Sequence, residues 1–156
     1  MLTLETRCAA ETRALGARLA AQLCAGDVLL LQGPLGAGKS ELTRGIAKGL
    51  GITEPVTSPT FTILQVHETG RLPLYHFDWY RLYSADELYE MGMDEYLGGD
   101  GVAVVEWPTQ APEAVPDCRL EIVLSPLSEE ERRIELHPLG GFRSLSADAL
   151  RGEEQQ

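Results

Sequence analysis

The run Gly33-Pro34-Leu35-Gly36-Ala37-Gly38-Lys39-Ser40 fits the pattern G-x-x-x-x-G-K-[ST]. It constrains the fold more than any other stretch, because such a run works only between a strand and a helix. Both neighbours are present. Ahead of it, Asp27-Val28-Leu29-Leu30-Leu31-Gln32 is a short apolar run of buried-strand type. Behind it, Leu42, Ile46, Ala47 and Leu50 recur at helical spacing. In that frame the backbone N–H groups of the loop surround phosphate oxygens, and the positive end of the helix adds to the field. Glycines at Gly33, Gly36 and Gly38 permit backbone angles closed to other residues. Lys39 is placed to reach β- and γ-phosphates, and the Ser40 hydroxyl to hold Mg²⁺. The motif predicts binding of ATP or GTP.

Strands and helices arranged around such a loop predict an α/β fold, a single P-loop NTPase-like domain with a mixed, mainly parallel sheet flanked by helices. Glu11–Leu23 reads as an amphipathic helix, with Leu15, Leu19 and Leu23 on one face and Gly26 as its C-terminal cap. Phe61–Val66 and Leu72–Phe77 read as strands of a hairpin about Glu68-Thr69-Gly70. Ser84-Ala85-Asp86-Glu87 has the pattern of a capping box opening a short helix. Val102–Val105 reads as a buried strand, and Arg119–Leu124 and Arg132–His137 as two more. The domain is expected over 1–140. The tail, 141–156, is expected to hold one short helix near Ser146–Leu150 and to fray at Gly152–Gln156.

The chain has 156 residues, the size of one common domain. Its longest apolar runs, such as Val102–Val105, are far too short to cross a bilayer, and Met1–Glu5 has no secretory pattern. Cys8, Cys24 and Cys118 form neither a disulfide framework nor a metal-site spacing, which suits the cytoplasm. The net charge of −11 repels a phosphate backbone. Any role on RNA or DNA is expected to run through a partner protein.

Phosphoryl transfer also needs an acid for the metal and a group that orients the nucleophile. Asp78 and Glu106 each close an apolar run, at the carboxyl end where α/β sheets bind ligands. One such acid alone reads as a solvated strand end. Two beside an intact loop favour a function for at least one. The uninterrupted aliphatic run before Glu106 marks a central parallel strand, which favours Glu106 as the metal acid and Asp78 as organiser of water or γ-phosphate. Ser58-Pro59-Thr60 stands where GTPases keep a switch segment. On its own it reads as an ordinary proline turn.

The loop, then Leu42-Thr43-Arg44-Gly45, Ser58-Pro59-Thr60-Phe61, His76-Phe77-Asp78-Trp79-Tyr80-Arg81-Leu82, Met91-Gly92 and Val105-Glu106-Trp107-Pro108 follow one another in that order. With these residues the chain resembles the TsaE (YjeE) family of bacterial ATPases, from its first helix to about residue 137. That family takes part in making N6-threonylcarbamoyladenosine at position 37 of tRNAs that read codons starting with A. The resemblance implies a small P-loop protein with a mixed sheet that binds ATP with Mg²⁺. It implies work alongside TsaD, the threonylcarbamoyl transferase, and TsaB, with tRNA met only through that complex. By position, it implies that Gly36, Ala37, Gly38, Lys39, Ser40 and Glu41 wrap the phosphates and that Ser40 and Glu106 serve Mg²⁺. It assigns Asp78 and Thr60 to hydrolysis, which raises Thr60 above a plain turn residue. Trp107 and Tyr80, close behind the two acids, line the nucleotide or partner surface or else pack in the core. Adenine contacts are implied loosely around Ala9–Thr12 and at Arg132 or Arg133.

Three positions depart from the family's pattern. Pro34 stands where Asp is common, Ser40 where Thr is commoner, and Glu41 where a hydroxyl residue is usual. A Glu41 carboxylate facing the α-phosphate would repel it, so the side chain is expected to turn outward and pair with a base such as Arg44. Two other readings remain. A small-molecule kinase would need several arginines and a lid, and the chain has only 13 Lys and Arg. A nucleotide-dependent binding switch with little turnover would use the same loop.

Overall fold

Two aliphatic runs, buried on both faces, become neighbours at the centre of the sheet. They are β2 (Val28–Gln32) and β5 (Val102–Glu106), paired in parallel. The structure, a computed structural model, describes residues 1–59 and 62–152. The expectations for Thr60, for Phe61 as a strand residue and for fraying over 153–156 lie outside the described residues.

Around the centre stand β1 (Leu2–Thr6), β3 (Leu64–His67), β4 (Leu74–Asp78), β6 (Arg119–Pro126) and β7 (Arg132–Leu139). They complete a seven-stranded mixed sheet of order β1-β7-β6-β2-β5-β4-β3. The contiguous strands β6, β2, β5 and β4 pair in parallel. The outer pairs, β1 with β7, β7 with β6 and β3 with β4, are antiparallel, so parallel pairing is confined to the middle. The Phe61–Phe77 hairpin is present as β3–β4, but β3 begins only at Leu64. Ile63 ahead of it takes a left-handed φ of 68°, a turn conformation that ends any strand.

Side chains alternate between the two faces. On one face Leu29, Leu31, Val102, Val104 and Ile122 pack against Leu15, Leu19, Leu42 and Ile46. Those last four come from α1 (Ala9–Ala20) and α2 (Lys39–Gly49). On the other face Leu30, Ala103, Val105, Tyr75 and Phe77 pack against Trp79 and against Leu88 of α3 (Asp86–Glu90).

The α1–α2 contact is unusually close. A Cβ added to Gly16 would stand 2.5 Å from the Leu42 carbonyl oxygen, and one on Gly49 2.6 Å from that of Ala17. A Cβ on Gly45 would strike the Arg13 carbonyl. The two helices therefore meet backbone to backbone.

Several local expectations need correction. The first helix begins at Ala9 and ends at Ala20, so Leu23 is buried beyond it and Gly26, at φ 92°, shapes the turn into β2 rather than capping a helix. The capping box at Ser84 does not form. Ala85 is the N-cap, and Glu87 turns back to accept from the Tyr83 N–H at 2.6 Å. β1 was not foreseen at all. At the other end, α4 (Ala147–Arg151) has Ser146 as a true N-cap, its hydroxyl accepting from the Ala149 N–H at 3.2 Å. Phe142 and Leu150 join the core, and Arg18 donates to the Leu150 carbonyl at 2.7 Å. Among the described residues no helix is long and apolar enough to cross a membrane.

Candidate nucleotide site

The turn from β2 into α2 is built by glycine. Gly38, the N-cap of α2, has φ 101°, a left-handed angle that costs a side-chain-bearing residue energy. Gly33 passes so close to β6 that a Cβ would stand 2.6 Å from the Leu124 carbonyl oxygen. Lys39 opens the helix. Its Nζ donates to the Gly33 carbonyl at 2.7 Å and stands 4.2 Å from the centroid of the Trp107 ring. Burial lowers the Lys39 pKa, while the carboxylates of Glu106 and Asp78 act to raise it.

Those two carboxylates are the last residues of β5 and β4 and are direct register partners across the parallel pair. Both are buried, at 6% and 7% exposure for Glu106 and Asp78. The Asp78 Oδ1 accepts from the Tyr80 N–H at 2.9 Å. Burial pushes the Asp78 carboxyl above its ordinary value, the Tyr80 bond opposes this, and the Glu106 charge adds to the rise. A raised pKa makes Asp78 a stronger base than a free aspartate.

The loop and the two acids enclose a cleft of about 520 Å³. Gly36, Gly38, Lys39, Ser40, Glu41, Asp78, Glu106 and Trp107 all line it, with Ser58, Tyr80, Leu35 and Arg132 at its sides. Trp107 takes a left-handed φ of 59° directly after Glu106, and its ring meets that of Tyr80 with centroids 5.0 Å apart. Tyr80 is 57% exposed, so this pair forms a wall of the cleft rather than core. The tryptophan of the core is Trp79, fully enclosed on the opposite face of the sheet. Ala37 lies inside the loop and is buried, its N–H donating to the Pro34 carbonyl at 3.1 Å.

Of the two arginines named from sequence, Arg132 is at the cleft. It donates to the Gly36 carbonyl at 3.0 Å and to the carbonyls of Ser128 and Glu131 at 2.9 Å. Arg133 points elsewhere, 3.6 Å from Glu5. Residues 9–12 do not line the cleft; Thr12 is buried against Thr6, their hydroxyls 2.7 Å apart.

Glu41 is turned outward. Its Oε1 accepts from Arg44 at 2.7 Å and its Oε2 from Arg13 of α1 at 2.5 Å. Both carboxylate oxygens are thus engaged by cations. Glu41→Thr is accordingly expected to change nucleotide affinity by no more than about fivefold, since an exposed pair is worth about 0–1 kcal/mol. Calorimetric titration with ADP checks this. A large gain in affinity would show that the carboxylate faces the nucleotide instead.

Sequence reasoning passed over two neighbours of the site. Arg13 reaches Glu41 from 28 residues away, with no local pattern to signal it. His76 belongs by its sequence to a hairpin strand, and alternation puts it on the same face as Asp78. Its Nε2 lies 2.8 Å from Oε2 of Glu106.

A family model described as "Threonylcarbamoyl adenosine biosynthesis protein TsaE" matches residues 6–134. The chain belongs to the TsaE family. It is 48% identical over 140 residues to the tRNA threonylcarbamoyladenosine biosynthesis protein TsaE of Bacillus subtilis (strain 168), covering 90% of this chain and 87% of that one. Against the protein of the same name from Treponema pallidum (strain Nichols) it is 42% identical over 129 residues, covering 83% of this chain and 95% of the relative. The crystal structure of Bacillus subtilus YdiB is similar with a TM-score of 0.78 at 42% identity, covering 89% of this chain and 86% of that one. The match to the TsaE family spans the phosphate loop, both acids and Trp107 alike.

Proposed function

We propose that this TsaE-family chain binds ATP with Mg²⁺ in the cleft, hydrolyses it, and serves tRNA N6-threonylcarbamoyladenosine formation together with TsaD and TsaB. One observation carries the reading: Lys39 and Ser40 of an intact phosphate loop face two buried carboxylates, Asp78 and Glu106, across one cleft. The names of the relatives, tRNA threonylcarbamoyladenosine biosynthesis proteins, supply the pathway.

The residues fit the metal. A hydroxyl from Ser40 and a carboxylate from Glu106 are the hard oxygen donors Mg²⁺ takes. Among the described residues no group of three or more His, Cys, Asp or Glu side chains forms a metal cage. One or two protein donors completed by phosphate oxygens is the usual arrangement for Mg²⁺. When bound, the ion supplies charge neutralisation on the phosphates and a template for the leaving group.

The chain's own groups do the rest. Loop N–H groups and the α2 N-terminus hold phosphate oxygens. Lys39 exchanges the Gly33 carbonyl for β- and γ-oxygens. Asp78, with its raised pKa, orients the attacking water and accepts its proton. Thr60 is assigned a part in the same step. Trp107 and Tyr80 screen the cleft from solvent. The setting is cytoplasmic, and with a net charge of −11 the chain meets tRNA only through its partners.

The test is co-elution with TsaB and TsaD from the same source, with and without ATP and Mg²⁺, with phosphate release followed in parallel. Association that depends on nucleotide, and turnover that rises with the partners, are expected. Absence of association in both conditions would remove the partnership. Association without turnover would leave a nucleotide-gated switch in place of an enzyme.

A further inference from the structure

We propose that His76 is a positioning residue for Glu106, its imidazole fixing the carboxylate that serves the metal. The proposal rests on the reading of the cleft just given. Leu74, His76 and Asp78 alternate onto the face of β4 that packs towards α2, where Leu74 joins Leu42 and Ile46 in the core. In the parallel register His76 stands beside Val104, and Asp78 beside Glu106. The imidazole therefore lies one pleat deeper than the two acids, and its Nε2 reaches Oε2 of Glu106 at 2.8 Å.

Both partners are buried, His76 at 2% exposure and Glu106 at 6%. The other ring nitrogen, Nδ1, is buried and has no hydrogen-bond partner among the described residues. A carboxylate oxygen can only accept, so the 2.8 Å bond calls for the proton on Nε2. A proton on Nδ1 would be an orphaned buried donor, whereas a bare lone pair there costs less. The ring therefore carries its proton on Nε2 and donates it to Glu106. Oε2 is committed to the inner side of the site, which leaves Oε1 for the cleft that Glu106 lines. A carboxylate held by one oxygen presents the other at a defined angle. Loss of such an outer partner commonly lowers metal affinity ten- to a hundredfold.

A histidine that merely fills space would leave the metal untouched, and the experiment separates the two roles. ATP binding is titrated by calorimetry on the full chain, once in EDTA and once across a Mg²⁺ series. His76→Leu keeps the volume and removes the donor. It is expected to raise the Mg²⁺ concentration for half-maximal tightening by roughly ten- to a hundredfold, with affinity in EDTA unchanged. His76→Gln, whose amide nitrogen reaches about as far as Nε2, is expected to stay within about threefold of the parent, well short of that loss. Should His76→Leu not fold, His76→Asn takes its place with the same expected shift, its amide being too short to reach Glu106. An unshifted Mg²⁺ dependence in the donor-free variant overturns the assignment, as does a His76→Gln protein as impaired as His76→Leu. A parent protein with no Mg²⁺-dependent ATP binding takes down the reading of the cleft and this proposal together.

Discussion

Lys39→Ala lowers ATP affinity by roughly ten- to a hundredfold, on the basis of about 1.5–3 kcal/mol for charge-assisted hydrogen bonds. The argument starts from where the ammonium stands. It is buried, held by the Gly33 carbonyl at 2.7 Å and over the Trp107 ring at 4.2 Å. Both contacts are with neutral groups, so exchanging them for phosphate oxygens is a gain. The side chain also supplies a positive charge beside Asp78 and Glu106, and its removal leaves those carboxylates to repel an incoming triphosphate. The two effects act in the same direction. Isothermal titration with ATP reads the change. An unaltered dissociation constant would mean that the loop is not the site.

Glu106→Gln reduces turnover by roughly 10²–10³-fold, the range seen when one preorganised electrostatic group is lost. The amide keeps the shape of the side chain and can still accept from His76, so the fold is preserved while the charge is gone. Part of the loss arises at Asp78. The Glu106 charge helps to raise the Asp78 carboxyl, and neutralising it returns Asp78 towards an ordinary, weaker base. ATP binding in EDTA should survive, because the loop contacts do not pass through Glu106. Phosphate release with and without the partner proteins measures the effect. Parent-like turnover would move the metal to another residue.

What could be read from the sequence was whatever is written locally. The phosphate loop, its strand and its helix are contiguous, and the two acids end aliphatic runs that can enter only the middle of a sheet. Pairing across long distances was not legible. Leu2–Thr6 alternates as Leu-Thr-Leu-Glu-Thr, a weak signal over five residues, and it becomes a strand only by pairing with Arg132–Leu136 at the far end of the chain. The capping box at Ser84 failed because its glutamate found the Tyr83 N–H first. The two faces of β4 were legible in principle. Alternation through β4 places Tyr75 and Phe77 on the face that packs with Trp79 and α3, and Leu74, His76 and Asp78 on the face towards α2, where Asp78 reaches the cleft. The same alternation would have brought out His76. The outward turn of Glu41 towards Arg44 follows from the repulsion a carboxylate would meet at the α-phosphate, whereas Arg13 is a tertiary partner that no local argument supplies.

The glycine seam between α1 and α2 has a mechanical side. Where Gly16, Gly45 and Gly49 let two backbones touch, no rotamer remains to absorb a shift. The helix that carries Lys39 and Ser40 is braced along its length by α1, and α1 in turn by α4 through Arg18 and Leu150. Opposite it, the Tyr80 and Trp107 rings meet 5.0 Å apart, Tyr80 tied by its N–H to Asp78 and Trp107 lying under the Lys39 ammonium. The bank that carries Lys39 and Ser40 thus works as an anvil. A side chain added anywhere along that seam would displace α2 as a body, and Lys39 and Ser40 with it.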